Sequence, residues 1–261
     1  MRAWPLLAIL GMLSGGCTQA PAPPSANATP PATAPRPIDA AAIPAQIRIL
    51  DAHGLHTNRI ANSLEQWINE RIAPKKTAVT VIDTQEDALI SDLLAGKGDV
   101  AANLLVTFER DDTVAFAKPI LTHVVELVVT SPKEPNLVSL EDVGGRSIHV
   151  RKSSDHYASL IRLNAQLKAI NRAPAKIVVA PGSPTDEELL AQVNAGRIPA
   201  TLADDYLYDA CCSQLAGLKT NRDVSVSQGG VLAWATRKDA PQLLAVLNQF
   251  FSTHTFVPGV P

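Results

Sequence analysis

The chain has 261 residues, is 46% hydrophobic and carries a formal net charge of -2, which is enough apolar material for one large core or two smaller ones. A balance this close to neutral gives no electrostatic footing for a polyanion, so no nucleic acid partner is expected.

Arg2 precedes an apolar stretch from Ala3 to Leu13, followed by Ser14-Gly15-Gly16-Cys17. The stretch is shorter than the about 20 apolar residues of a membrane span, so residues 1–17 read as an export signal. Residues 18–44 are rich in Pro and Ala and nearly lack large apolar side chains. Such a segment cannot bury enough surface to order itself and serves as an extended linker.

A regular alternation of strands and helices follows. Ile47 to Leu50 reads as a strand, and Thr57 or Asn58 can cap a helix with Ile60, Leu64, Trp67, Ile68 and Ile72 on its apolar face. Val79 to Ile82 is a second strand. Ala88 to Ala95 is a short helix with Leu89, Leu93 and Leu94 inward, stopped by Gly96, and Asp99 to Leu105 is a third strand. This βαβαβ order predicts a parallel sheet covered by helices.

Glu126 to Thr130 is a strand that exits at Pro132 and Pro135 into a second α/β unit. That unit comprises strands at Ser147 to Val150, Lys176 to Val179 and Ala200 to Ala203, with helices at Ser154 to Asn171 and Asp186 to Asn194. A last strand, Val231 to Thr236, and a helix, Pro241 to Phe251, return the chain to the first unit. The resulting organisation is a first lobe over 45–130, a second over 131–225 and a return to the first over 226–261.

Few residues invite metal or redox chemistry. Besides Cys17 only the adjacent Cys211 and Cys212 occur, too few for a zinc site, and two partly buried thiols are the first expectation, ahead of a vicinal or intermolecular disulfide. His53 and His56 lie three apart but lack an acidic or Cys partner at ligand spacing, so neither a metal nor a cofactor is expected.

Arg110 is the residue of greatest chemical interest. It closes the run Ala101-Ala102-Asn103-Leu104-Leu105-Val106-Thr107-Phe108-Glu109-Arg110, which leads from a buried strand into a loop. A guanidinium matches a carboxylate two-on-two, and the Thr107 hydroxyl could fill a remaining lone pair. By spacing alone, Arg110 could equally form a solvated pair with Asp111 or Asp112.

The wider pattern decides between these readings. Gly98-Asp99-Val100-Ala101-Ala102-Asn103-Leu104, Thr107-Phe108-Glu109-Arg110, Val150-Arg151-Lys152-Ser153-Ser154, Val193 to Thr201, Asp204-Asp205-Tyr206 and Gly229 to Lys238 occur in that order. From about Gln46 to His254 the chain resembles the family-three periplasmic solute-binding domain, most closely the version fused to membrane-bound lytic murein transglycosylases. The resemblance implies an α/β, two-lobed periplasmic binding protein type II fold, each lobe a mostly parallel sheet flanked by helices.

It also implies a ligand site between the lobes. Arg110 would grip a ligand carboxylate with Thr107 nearby, and Asn103 would border the site. Ser153 and Ser154 would close over the same carboxylate at a helix N-terminus, where Ser154 or Ser153 could equally be the helix cap. Asp204 would meet the ligand's amino group, with a helix cap as its alternative role. Leu105 departs from the pattern, which usually has a hydroxyl there, and residues 51–58 lack the usual stacking aromatic.

Cys17 after small residues resembles a bacterial lipoprotein signal, although Ser14 replaces the usual Leu. Lipid on Cys17 would tether the protein in the periplasm, and Thr18 in place of Asp favours the outer over the inner membrane. No catalytic residues are expected, because the transglycosylase domain of the fused relatives is missing here. The implied function is binding of an amino acid or muropeptide-like ligand for uptake or sensing, with a transporter or a cell-wall enzyme as a possible partner. A non-catalytic regulator or scaffold of cell-wall enzymes is the alternative, and a dehydratase-type enzyme on this fold a more distant one.

Overall fold

The structure is a computed structural model that describes residues 37–52, 57–182, 184–212, 215 and 217–256. Cys17, the signal and the linker up to residue 36 lie outside the described residues, as do His53 and His56.

The first lobe begins with β1 (Gln46–Asp51), α1 (Thr57–Ile72), β2 (Ala78–Asp83), α2 (Leu89–Leu94) and β3 (Val100–Leu105), and β1 lies between β2 and β3, parallel to both. The apolar spacing of α1 turns Ile60, Leu64 and Ile68 onto the sheet, where they pack with Ile47, Ile49 and Trp234. Leu89 and Leu93 of α2 seal the other face over Leu50 and Ala101. Leu94 was expected inward but is 48% exposed. One residue past Leu93 is a rotation of about 100° on a helix, which turns it to solvent.

After α3 (Phe108–Asp111) and β4 (Ala115–Phe116), β5 (Leu121–Thr130) carries the chain into the second lobe. There β6 (Ser147–Val150) is parallel to β7 (Lys176–Val179) and to β8 (Ala200–Asp204). Helix α4 (Asp155–Ala169) covers one face through Leu160, Leu163 and Leu167, and α5 (Asp186–Asn194) covers the other through Leu189, Leu190 and Val193. A short α6 (Asp205–Leu207) and a π-helical turn (Tyr208–Cys212) follow β8. Cys212 is buried and disulfide-bonded, so the expectation of two free thiols is corrected.

The return strand β9 runs from Lys219 to Thr236, three times the length expected from Val231 to Thr236, before α7 (Pro241–Thr253) packs Phe250 and Phe251 into the first core. Its first half, rich in Lys, Asn, Arg, Asp, Ser and Gln, lacks the apolar pattern that marks a buried strand. The two-lobed α/β architecture is as the sequence implied, but the sheet is mixed and continuous. Strand β9 pairs antiparallel with both β3 and β5, and β5 pairs antiparallel with β8.

Two details hold the end of β3 in place. A side chain at Gly98 would put its Cβ 2.4 Å from Leu50 Cγ, so the turn into β3 requires glycine. Asp99 beside it accepts from the Arg48 backbone N–H at 2.9 Å and from the Arg48 guanidinium at 3.0 and 2.9 Å. Burial opposes the Asp99 charge, but Arg48 outweighs it and holds the carboxyl below its ordinary value of 3.8.

Asp99→Asn is therefore expected to lower stability by about 1–2 kcal/mol, a figure kept small because Arg48 is partly solvated. Because the folded value is depressed, the deficit should be full above about pH 4 and shrink as pH falls through the folded value. Urea midpoints of the two proteins between pH 7 and pH 2.5 measure it; a deficit that stays constant to the lowest pH would contradict the assignment.

Candidate functional site

A cleft of about 230 Å³ opens where the C-terminal ends of β3 and β8 meet the first turns of α3, α4 and α5. This is the edge at which α/β folds present ligand contacts. Glu86, Asp87, Leu105 and Arg110 line it from the first lobe, and Ser153 to His156, Asp186 and Asp204 from the second. An adjoining cavity of about 590 Å³ shares Arg110, Ser153, Ser154, Asp155 and Asp204 and adds Thr107 and Glu126.

Asn103 reaches the cleft through a backbone irregularity. Its φ is 56°, in the left-handed region that Asn tolerates, and the β3–β9 register shifts between Ala101 and Leu104. Its side-chain amide is committed inward, donating to Thr57 Oγ1 at 2.9 Å and Asp51 Oδ1 at 3.2 Å while accepting from the Trp234 indole at 3.3 Å. Asn103 thus fixes the strand end that carries Leu104 and Leu105.

Thr107 caps α3, its hydroxyl oxygen accepting from the Arg110 backbone N–H at 3.3 Å. The Arg110 guanidinium donates to the Leu105 carbonyl at 2.9 Å, so the backbone of Leu105 supports it even though the side chain brings no hydroxyl. Its charge partner is neither Asp111 nor Asp112. Asp155, the first residue of α4 on the opposite lobe, places Oδ2 2.8 Å from Arg110 Nη1.

Ser154 is the α4 cap: it accepts from the Tyr157 N–H at 3.2 Å and donates to the Arg151 carbonyl at 2.8 Å. Both hydroxyl functions are thereby used, whereas exposed Ser153 borders both cavities. Asp205, not Asp204, accepts the nearby backbone N–H groups, those of Val125 and Tyr206. The Asp204 carboxylate turns to His156 instead, 3.4 Å from Nε2.

His156 centres a buried acidic cluster. Asp186 Oδ2 lies 3.9 Å from its Nδ1, and the Glu126 carboxylate adds a third negative charge. Burial alone would disfavour the imidazolium, but the Asp204 hydrogen bond and the charges of Asp186, Asp204 and Glu126 outweigh it and push the ring up to about 10. Burial raises the Glu126 carboxyl above its ordinary value, with His156 and Ser159 working against that rise.

Arg151 forms the second link between the lobes. Only 3% exposed, its guanidinium donates to Asp186 at 3.0 Å within its own lobe and reaches Asp87 at 3.4 Å, and also Glu86, on the first. Five carboxylates therefore line the cleft, Glu86, Asp87, Asp155, Asp186 and Asp204, against Arg110 and His156. Counting Arg151 behind them, the cleft remains net negative.

The structure brings Arg110, Ser153, Ser154, Asp204 and the edge of Asn103 to one cleft, and places Thr107 in the adjoining cavity. Sequence reasoning missed Asp155, His156, Asp186, Arg151 and Glu126. One signal was available: His156 and Ser159 continue, in polar form, the inward spacing of Leu160, Leu163 and Leu167. Polar residues at buried helical positions require partners.

Residues 60–255 match the family described as bacterial extracellular solute-binding proteins, family 3. An ancestral arginine-binding protein solved with arginine is similar in fold, with a TM-score of 0.63, 21% identity and coverage of 80% of this chain and 92% of that one. An ancestral arginine-binding protein bound to glutamine gives 0.64 and 20%, over 80% and 92%. The Streptococcus pneumoniae amino acid ABC transporter substrate-binding protein AbpA, bound to L-arginine, gives 0.62 and 13%, over 80% and 88%. No curated protein matches this chain.

The two links between the lobes should differ sharply in energy. Arg151→Ala removes the buried guanidinium shared by Asp186, Glu86 and Asp87 and is expected to cost about 3–5 kcal/mol of stability. Arg110→Ala removes a pair whose members are 21% and 30% exposed, and should cost about 1 kcal/mol or less. Urea denaturation of the two variants ranks them, and equal costs would remove the distinction.

Proposed function

We propose, since this chain belongs to the bacterial extracellular solute-binding proteins of family 3, that its cleft takes a small amino-acid-type ligand carrying at least one surplus positive charge. The observation that carries this reading is the charge balance of the cleft, five carboxylates against the cations Arg110 and His156. A ligand carboxylate would replace Asp155 on Arg110, one carboxylate for another, and the released Asp155 with Asp204 would face the ligand's cationic groups. The arginine-bound relatives support a cationic ligand, and the glutamine-bound one supports an amino acid more broadly.

Closure would hinge on β5 and β9, whose pairing shifts register four times between Thr122 and Val129. The lobes would then be 45–130 with 226–261, and 131–225. The protein acts as a binding protein and not as an enzyme. Lipid on Cys17 would tether it in the periplasm, the outer membrane favoured, with residues 18–44 as spacer, for delivery to a transporter or for sensing. No described helix is long and apolar enough to cross a membrane. Cell-wall peptide fragments bearing a free amine belong to the same ligand class and keep the murein-associated branch of the family in view.

One observation favours a regulator or scaffold of cell-wall enzymes as a second reading: the chain's own charges already join the lobes at Arg110–Asp155 and at Arg151 with Glu86 and Asp87. A thermal-shift series separates the two. Arginine, lysine and amine-bearing muropeptides should raise the melting temperature, by about 5–10 °C at a hundredfold excess over Kd, while glutamate and aspartate should not. Arg110→Ala and Asp204→Asn should abolish the rise, and Asp155→Asn, which frees Arg110 but removes a partner for the ligand's cation, should let glutamate and aspartate raise the melting temperature as well. No shift with any of these ligands would favour the scaffold.

A further inference from the structure

Glu126 and Asp204 are directly paired residues on the antiparallel strands β5 and β8, so their side chains share one face of the sheet. Both are 6% exposed, and His156 on α4, 5% exposed, leans over them. One donor atom from each of the three residues lies within 4.8 Å of the other two. Two ligands bound tetrahedrally at about 2.0–2.1 Å to one ion stand about 3.3 Å apart, and His156 Nε2 and Asp204 Oδ1 are already 3.4 Å apart.

An independent observation points the same way. The second Glu126 oxygen, Oε2, is fully buried and has no hydrogen-bond partner, although Oε1 accepts from Ser159 Oγ at 3.0 Å. Buried carboxylate oxygens are costly to leave without a partner, and an orphan on a cross-strand acidic pair marks a place for a cation. We infer that Glu126, His156 and Asp204 form a site for a divalent first-row transition metal, with Zn2+ as its probe.

Charge and surroundings fit that ion. Glu126 and Asp204 bring two carboxylates to one side of the sheet, matching the charge of a divalent ion bound together with a neutral His156. One nitrogen and two carboxylate donors suit zinc and its neighbours better than calcium or magnesium. Asp186 beside Nδ1 is placed to orient the ring, and Arg162 donates to Ser159 Oγ at 2.8 Å, which fixes the donor to Glu126. Asp204 and His156 border the smaller cavity and Asp204 and Glu126 the larger, leaving an open coordination position toward the cleft.

The test uses the full chain, cleared of metal by a chelator, in equilibrium dialysis against Zn2+ with metal content measured by mass spectrometry, and Co2+ substitution followed by visible absorption. One zinc per chain and a Co2+ spectrum of mixed nitrogen and oxygen ligation are expected. Glu126→Gln and His156→Gln should each weaken zinc binding by about tenfold or more, while Asp83→Asn on the exposed end of β2 should leave it unchanged. Circular dichroism checks folding, and Glu126→Gln, which changes the buried carboxylate whose Oε2 has no hydrogen-bond partner, carries the test if His156→Gln unfolds. A wild-type chain without stoichiometric zinc, or a folded Glu126→Gln chain that holds zinc as tightly as wild type, overturns the inference. The cleft reading shares Asp204 and His156 with it but is tested apart: an amine ligand that raises the melting temperature of a chain that takes up no zinc refutes the metal site alone.

Discussion

Two acidic side chains face each other across adjacent buried strands, and much of the second lobe's polar architecture answers that constraint. Glu126 and Asp204 occupy one register position of β5 and β8, where opposed side chains start about 5 Å apart and like charges repel. Neither can move away without shifting a central strand, so a cation must come to them. Helix α4 supplies it by turning His156 inward, and Asp186 at the start of α5 meets the other side of that ring. Asp186 in turn draws Arg151, whose remaining donors cross the cleft to Glu86 and Asp87. A compensation that begins inside one lobe thus ends as a link to the other.

The same chain of contacts explains what the sequence revealed and what it hid. Strands and helices with their own apolar periodicity were legible, from α1 with Ile60, Leu64 and Ile68 to α5 with Leu189, Leu190 and Val193. So was the neighbourhood of Arg110, because a strand feeding a capped turn is a local pattern. The polar half of β9 was not, since its pairing with β5 comes from tertiary context and not from alternation. The acidic cluster was hidden for a related reason. Glu126, His156 and Asp204 are 30 and 48 residues apart in sequence, and only the β5–β8 register and the pitch of α4 unite them. Local reading also left Ser154 two roles and gave Thr107 only a ligand role, and the structure commits both hydroxyls to helix caps.

In the proposed binding mode, Arg110 and Asp155 would bear on selectivity more than on stability. A guanidinium on the rim of a cleft attracts any carboxylate that diffuses in, and an unpaired one would bind indiscriminately. In that mode an incoming carboxylate would have to displace Asp155, which is favoured where it stands by the positive end of α4. Exchange of one carboxylate for another on the same fork gains little by itself, so the affinity of a ligand rests on what else it brings. A purely anionic ligand would leave Asp155 unpaired beside Asp204 and add repulsion to no gain. A ligand with a cationic group would pair the displaced carboxylate and relieve the acidic excess at once. On the proposed reading, the internal ion pair would work as a filter that admits a carboxylate only when it arrives with a positive charge.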